Sequence, residues 1–502
     1  MNFPRLAALS VLMGALSAPI SAAASEQNFW PIVVERSNES AETGVRSVSA
    51  EALGSLGFHK SGDKQTLSAS GLRPLYLERQ KPGGRVSEAY FLYPLLSYRT
   101  QADGYRWSFL NLINRAFTKS SSAGTTDTEE ALDIWPVYFS RTSKHPEASY
   151  RAVFPLAGSI PRRFGQDRLS WFLFPLYGRF EKRGTTTLTV PWPFIKILSG
   201  DSHTGFELWP LFGTRGKPGV YRERFALWPL IYDHQTWSEG GQTSGRKIGL
   251  LPFYARDEAE SYRSETYVWP FFGYVDRTAP HRYHASNYLW PLWVQGQGDD
   301  RRINRWAPFY SHSLIKGTEK TWILWPLWRQ STWTEGELAH QRAQFLYFLY
   351  NANVQRSASR PDAEPASKIH VWPLVSAWNN GAGRKQWQIL SPFEVFFPHN
   401  EQVRLSWSPL FALYRFDQTK PGETRHVALW NAISYHRNRA AAETEFHLGP
   451  LISMERNQDQ GRLALLGGLL AWQRGAVGTG WRLGFGNFRS GSAVAPRPTS
   501  LP

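Results

Sequence analysis

The sequence predicts an all-β protein, a long antiparallel up-and-down meander of about 20–24 strands. A short apolar block centred on an aromatic-proline pair recurs along most of the chain. With 23 Trp and 33 Pro, chance would give roughly 1.5 Trp-Pro pairs, and the chain has nine. The blocks are rich in residues that suit a pleated surface. Turns rich in Gly, Asp, Asn and Lys, such as Lys182–Thr185, separate the blocks, so we expect one strand per repeat.

Each repeat has a polar lead-in, an apolar centre and a turn. In Phe206–Asp233 two copies of LWPL flank the turn GKPG. The Trp-Pro pairs begin at Trp30, Trp135, Trp192, Trp209, Trp228, Trp269, Trp290, Trp325 and Trp372. Because proline cannot donate a hydrogen bond to a neighbouring strand, its place in the apolar centre predicts a mid-strand bulge or kink. The alternative makes Trp-Pro the turn itself, with proline at the second position.

Alternation along a strand divides the side chains between two faces. Counted from the proline, the residues two before and two after it are apolar, as in Leu208 and Phe212, and fall on one face. The residue three after it is small or polar, as in Gly213 and Ser376, and falls on the other face. The sequence therefore predicts one apolar face and one face that is apolar only at its middle.

We expect the meander to close as a large outer-membrane-type barrel. Export, the meander and an aromatic content of 15% agree with such barrels. Mid-strand prolines and a belt of Trp and Leu on the lumen side disagree, because no water in the bilayer compensates a missing donor. The alternative is a soluble bent two-layer sheet or a propeller-like body, in which the apolar centres bury one another.

Residues 1–24 have the features of a secretory signal peptide, with Arg5 before an apolar stretch and Ala22–Ala24 before Ser25. Residues 25–488 are expected to form a single repeat-built β domain, and residues 489–502 a disordered tail. Within the domain, the polar segments Lys119–Glu130 and Ser357–Ser367 are expected to be long exposed loops. We expect the protein in the outer membrane or, alternatively, in the periplasm or at the cell surface.

The net charge of +16, from 57 Lys and Arg against 41 Asp and Glu, favours acidic partners. The expected partners are outer-membrane lipid or lipopolysaccharide, with acidic glycans as an alternative, and no nucleic acid. Trp237, Trp333 and Trp378 lie away from the repeat centres. Because an exposed indole ring can pack on a sugar or lipid, these three residues are the candidate ligand platform.

No phosphate-binding loop, zinc-protease motif or serine-hydrolase motif occurs, and there is no cysteine. We therefore predict no catalytic, cofactor-binding or metal site, and an exported hydrolase is the least favoured class. The sequence predicts a non-enzymatic cell-envelope protein: an outer-membrane barrel with a pore, transport or structural role. The alternative is a soluble binding protein for lipid or acidic glycan.

Three segments carry a family resemblance: FPLAGSI at Phe154–Ile160, RFGQDRLSWFLFPLYGR at Arg163–Arg179 and PWPF at Pro191–Phe194. In these repeats the chain resembles exported bacterial proteins built from aromatic-Pro-Leu β repeats. The resemblance implies a repeat architecture and export, and it implies no activity.

Overall fold

The computed structural model describes residues 26–39, 46–61, 68–81, 85–122, 125–200, 203–475 and 478–483. The predicted signal peptide at 1–24 and the predicted tail at 489–502 lie outside these residues. The chain divides into two compact units: unit 1 takes Met1–Val86 with Arg404–Pro502, and unit 2 takes Ser87–Val403. Both units are built from the same repeat. Among the described residues, no helix has the length and hydrophobicity needed to cross a membrane.

The described residues contain 45 β-strands, each antiparallel to the strands with which it pairs, so the predicted all-β antiparallel meander is confirmed. The first strands of unit 1 are β1 (Glu26–Phe29), β2 (Val33–Glu39), β3 (Arg46–Ala52), β4 (Gly57–Lys60), β5 (Ser68–Leu72) and β6 (Tyr76–Gln80). Its later strands follow two short helices, α1 (Glu401–Ser406) and α2 (Ser408–Phe411), and are given below.

Unit 2 is a continuous meander in which each strand pairs with the next. Its strands are β7 (Val86–Phe91), β8 (Leu96–Gln101), β9 (Gly104–Phe109), β10 (Ile113–Ser122), β11 (Thr125–Ile134), β12 (Tyr138–Thr142), β13 (Tyr150–Val153), β14 (Ala157–Arg163), β15 (Gln166–Phe172), β16 (Tyr177–Lys182), β17 (Thr185–Thr189), β18 (Ile195–Gly200), β19 (Thr204–Leu208), β20 (Phe212–Lys217), β21 (Tyr221–Ala226), β22 (Ile231–Trp237), β23 (Thr243–Leu250), β24 (Tyr254–Ala259), β25 (Tyr262–Tyr267), β26 (Phe272–Arg277), β27 (Tyr283–Leu289), β28 (Trp293–Gly298), β29 (Arg301–Trp306), β30 (Tyr310–Ile315), β31 (Thr318–Ile323), β32 (Trp328–Glu335), β33 (Leu338–Phe345), β34 (Tyr350–Ser357), β35 (Ala366–Val371), β36 (Val375–Asn379) and β37 (Lys385–Ile389). A 3-10 turn lies at Pro146–Ala148.

The second part of unit 1 is a meander of eight strands. They are β38 (Tyr414–Lys420), β39 (Glu423–Ala428), β40 (Ile433–Asn438), β41 (Glu443–Leu448), β42 (Ile452–Arg456), β43 (Gly461–Leu465), β44 (Leu470–Gly475) and β45 (Gly478–Leu483). A 3-10 turn at Leu466–Gly468 joins β43 to β44.

Each repeat folds as a β-hairpin, and the aromatic-Pro block is the turn between its two strands. The turn Leu227–Leu230, for example, separates β21 from β22. The N–H of Leu230 donates to the carbonyl of Leu227 at 2.7 Å, and the Trp228–Pro229 bond is cis. A cis proline at the third position is the mark of a type VI β-turn. All nine Trp-Pro bonds of the chain are cis.

Two expectations from the sequence are therefore wrong. The Trp-Pro pair does not lie in mid-strand, and the described residues contain 45 strands rather than about 20–24. The alternative, with Trp-Pro as the turn, is confirmed, although proline takes the third position instead of the second. The physical reason is that a proline in the turn removes no donor from the ladder. The polar lead-ins then form strands of their own.

Closure into a barrel, the architecture preferred from the sequence, is not seen in the described part of the chain. There, β1 pairs with β2 and β45 with β44, and no pairing joins β1 to β45. All strands except β10 and β11 have 4–8 residues. A strand that crosses a bilayer needs about 9–11 residues. The structure therefore gives no support to the predicted barrel.

Paired residues on adjacent strands point to the same face of a sheet, so the register defines two faces. The face that carries the strand-end residues next to the aromatic-Pro turns is named the open face. In unit 2 it presents Phe212, Ile231 and Leu250, which are 50%, 42% and 52% exposed. The other face, named the packed face, carries the next residue of each strand, such as Gly213. The sequence predicts one wholly apolar face, but on the open face of unit 2 only the row beside the turns is apolar, because the next row contains Arg224 and Asp233.

The packed face of unit 2 holds its hydrophobic cores. One cluster consists of Phe139, Ala152, Ile160 and Trp171, and a second consists of Tyr283, Ala285, Val294 and Ile303. Ile160 is completely buried. Because each hairpin contacts its neighbours in sequence, these cores are local to a few strands.

Candidate functional site

The three tryptophans predicted as a ligand platform do not share one surface. Trp237, at the end of β22, lies on the open face, with the Arg222 guanidinium 5.7 Å from its ring centre. Trp333 in β32 and Trp378 in β36 lie on the packed face. Arg342 stands 5.3 Å from the Trp333 ring centre. The structure thus brings two of the three to the same face and leaves Trp237 on the opposite one.

Trp333 and Trp378 border a group of cations on the packed face of β31–β36, which is named the basic face. Two rows of paired residues cross these strands. One row is Lys320, Ser331, Arg342, Asn353, Lys368 and Trp378, and the other is Trp322, Arg329, Gln344, Asn351, His370 and Ser376. Neither row contains a carboxylate.

Three of these cations stand on consecutive strands and repel one another. Burial, and then the charge of Arg329, lower the pKa of Lys320. Burial, and then the charge of Arg342, lower the pKa of Arg329. Arg329 also lies over the Trp322 ring at 5.2 Å, which leaves the edge of its guanidinium to donate hydrogen bonds. Because like charges destabilise the protonated forms, an anion bound here would relieve an existing repulsion.

Buried polar atoms on the same face lack hydrogen-bond partners within the described residues. They are Ser331 Oγ, Gln344 Oε1, Asn353 Oδ1 and His370 Nε2. Ser331, Gln344 and His370 are only 4%, 9% and 3% exposed. Buried polar atoms are nearly always bonded to protein, water or a ligand. These atoms therefore indicate a place where a polar partner is needed.

His370 is neutral at pH 7. Its Nδ1 lies 2.6 Å from Ser376 Oγ, and burial, followed by the charge of Lys368, lowers its pKa to about 4. A neutral imidazole can donate or accept at the second nitrogen. His370 thus adds a hydrogen-bonding group to the basic face and no charge.

A second group of titratable side chains lies inside unit 1, where β1–β3 contact β39–β41 and the turn between β39 and β40. Ser434 Oγ donates to one oxygen of Glu26 at 2.6 Å, and Arg425 Nη2 donates to the other at 2.9 Å. Burial acts to raise the pKa of Glu26, but the charge of Arg425, together with weaker contacts, outweighs it and lowers the pKa to about 2. Glu26 is therefore an ionised carboxylate that is only 4% exposed.

Glu445 and His436 belong to the same buried group. Burial, and then the charges of Glu443 and Glu455, raise the pKa of Glu445 to about 8. Burial, and then the charge of Arg36, lower the pKa of His436 to about 4. Glu445 and His436 are 4% and 3% exposed, and both interact with charged side chains of the group around Glu26. Buried ion networks also perturb pKa values, and this burial favours a structural role.

Glu445→Gln should remove a pH-dependent loss of stability. Because its pKa is raised, Glu445 contributes fully to the free energy of unfolding below pH 4.5, the ordinary pKa of a glutamate. This contribution is lost as the pH rises through about 8. The glutamine variant has no proton to lose at this position. At pH 8 its free energy of unfolding should therefore exceed that of the wild type by on the order of 2 kcal/mol. Urea unfolding at pH 5 and pH 8 measures the difference. An identical pH dependence in the two proteins would contradict the assignment.

Fold and site together define the class: an all-β hairpin-repeat protein with a basic, aromatic face. No protein-family model matches the chain, and no curated protein matches it either. In the part of the chain that the structure describes, no group of three or more His, Cys, Asp or Glu side chains is placed to hold a metal ion.

Proposed function

We propose that this protein is a non-enzymatic binding protein of the cell envelope, and that it takes an acidic glycan on the basic face of unit 2. The observation that carries the proposal is the group of mutually repelling cations, Lys320, Arg329 and Arg342, next to buried polar atoms that have no hydrogen-bond partner among the described residues. The net charge of +16 supports an acidic partner. We place the protein outside the cytoplasm, in the periplasm or at the cell surface.

The spread of the cations favours a ligand with several anionic groups. Lys320 and Arg342 stand two strands apart, which is roughly 10 Å at the usual strand spacing. A single carboxylate cannot contact both. Trp333 and Trp378 at the border add aromatic rings on which sugar rings can pack. A polyanionic glycan offers both features along one chain.

A pore or transport role is not favoured. Such a role needs a closed barrel, whereas the strands are short and no closing pairing exists among the described residues. An enzymatic role is not favoured either, because the carboxyl groups with strongly shifted pKa values, Glu26 and Glu445, are buried inside unit 1.

The combined substitution Lys320→Gln, Arg329→Gln and Arg342→Gln should weaken glycan binding by about tenfold or more, equivalent to roughly 1.4 kcal/mol. The reason is the loss of charge-assisted hydrogen bonds to the glycan carboxylates. Isothermal titration calorimetry with an oligogalacturonate, and with neutral dextran for comparison, measures the effect.

The chain offers a matched control on the opposite face. Arg168, Arg224 and Arg302 are exposed on the open face of unit 2, and replacing all three by Gln removes the same charge. This control variant should keep the wild-type affinity for the oligogalacturonate. Trp333→Ala and Trp378→Ala should each weaken binding, whereas Trp237→Ala should not. Equal losses in the two triple variants, or binding of dextran as tight as that of the oligogalacturonate, would refute the proposal.

A further inference from the structure

The open face of β38–β45 in unit 1 is apolar over two rows of residues except at His426, whereas the second row of unit 2 is interrupted by charges. In unit 2 the second row includes charged residues such as Arg224, Asp233 and Glu265. In unit 1 the first row is Tyr414, Ala428, Ile433, Leu448, Ile452, Leu465, Leu470 and Leu483. The second row is Phe416, His426, Tyr435, Phe446, Met454, Leu463, Trp472 and Trp481.

Large apolar side chains on this face are open to solvent. Met454, Trp481 and Leu483 are 50%, 60% and 87% exposed. The turns beside the first row extend the apolar surface, with Leu451 and Leu466 at 54% and 59% exposure. A contiguous apolar patch of this kind on a folded protein marks an interaction surface.

The third row of the same face carries only positive charge. It consists of Gln418, Thr424, Arg437, Thr444, Arg456, Gly461, Arg474 and Thr479. All three of its arginines are exposed. None of the three rows contains a carboxylate, and the acidic residues of these strands, such as Asp417, Glu445 and Glu455, lie in rows of the packed face.

A cavity of about 300 Å³ opens at the border between the apolar rows and the arginines. Thr424, His426, Tyr435, Arg437 and Arg439 contribute to its lining. It combines an aromatic ring, hydroxyl groups and two guanidinium groups. This chemistry suits a phosphate-bearing headgroup, because guanidinium groups bind phosphate in a bidentate manner.

We propose that this surface, named the docking face, binds unit 1 to a membrane surface that contains anionic lipids. The two apolar rows lie roughly 7 Å apart along the strands, within the about 5–10 Å depth that interfacial elements reach. The arginine row then lies at the level of the headgroups, where each cation gains from an anionic surface. A second copy of the chain fits less well, because its arginines would face these arginines. This site and its partner are separate from the glycan site of unit 2.

The test is flotation of the full chain with vesicles of phosphatidylcholine alone and of phosphatidylcholine mixed with phosphatidylglycerol. We expect binding to the mixed vesicles and much weaker binding to the neutral ones. Arg437→Gln, Arg456→Gln and Arg474→Gln together should weaken binding to mixed vesicles on the order of tenfold or more. Met454→Ser with Trp481→Ser should reduce binding to both vesicle types, because the apolar contact is lost.

Two control variants test whether vesicle binding depends on the docking face. The open-face triple variant of unit 2 at Arg168, Arg224 and Arg302 loses the same charge and should still bind the mixed vesicles. The basic-face triple variant should lose glycan binding and keep vesicle binding, so the two proposals can fail independently. Absence of vesicle binding by the wild type, equal binding to both vesicle types, or equal losses in the docking-face and control variants would overturn the proposal. Matching urea unfolding curves establish that each variant is folded.

Discussion

Replacing Arg425 by Met should destabilise unit 1 by about 3–5 kcal/mol, the cost of leaving a buried charge without its partner. Glu26 is the charge left behind: its side chain is 1% exposed, and its oxygen lies 2.9 Å from Arg425 Nη2. The hydrogen bond from Ser434 Oγ remains, but a hydroxyl group does not neutralise a buried carboxylate. Urea unfolding at pH 7 measures the free energy of unfolding.

The double variant Glu26→Gln with Arg425→Met provides the decisive comparison. Removing both charges of a buried pair costs far less than removing one, so the double variant should recover most of the lost stability. Arg437→Met makes the same chemical change at an exposed arginine on the neighbouring strand. Its free energy of unfolding should stay within about 0.5 kcal/mol of the wild-type value. A double variant as unstable as Arg425→Met alone would show that packing, and not charge, sets the effect.

The repeat was enough to predict the meander. Alternation on either side of the aromatic-Pro pair was enough to place Leu208 and Phe212 on one face and Gly213 on the other, as the register has them. The turn itself could not be assigned, because an aromatic-Pro pair is compatible with both a strand bulge and a type VI turn. Taking it as a bulge merged the two strands of each hairpin into one and halved the number of strands.

Polar strands were the second source of error. Lys119–Glu130 is predicted to be a loop, but in the structure β10 ends at Ser122, β11 begins at Thr125, and each strand has ten residues. Interstrand hydrogen bonds join backbone groups, so polar residues can form a strand as well. A strand that buries few side chains then shows no hydrophobic pattern in the sequence. Ser357–Ser367 behaves as expected over most of its length, because β34 ends at Ser357 and β35 begins at Ala366.

The candidate site was only partly visible in the sequence. Trp333 and Trp378 were identified because they stand apart from the repeat centres, but the cations of the basic face were not. Lys320, Arg329 and Arg342 are separated by nine and thirteen positions and look like ordinary surface charges. They meet only through the hairpin register, in which Lys320 pairs with Ser331 and Ser331 pairs with Arg342. A correct assignment of the Trp-Pro turn supplies that register, and with it the charge pattern.

Ile160→Ala should destabilise the core around β12–β15 by about 2–5 kcal/mol, because it removes buried methyl groups and leaves a cavity. Ile160 is completely buried and packs in the cluster with Phe139, Ala152 and Trp171. Ile197→Ala is the matched control, since Ile197 is 42% exposed, and it should cost much less. Urea unfolding compares the two variants.

The strands in which Ile160→Ala lowers stability are as informative as the size of the decrease. In a chain whose hairpins contact mainly their neighbours, stability is close to a sum of local terms and nearest-neighbour interfaces. Hydrogen exchange in Ile160→Ala should therefore lose protection in β12–β16, while the separate core around Tyr283 and Val294 keeps its protection. A uniform loss across unit 2 would mean that its hairpins unfold as one cooperative body, and a core local to a few strands could not then explain its stability.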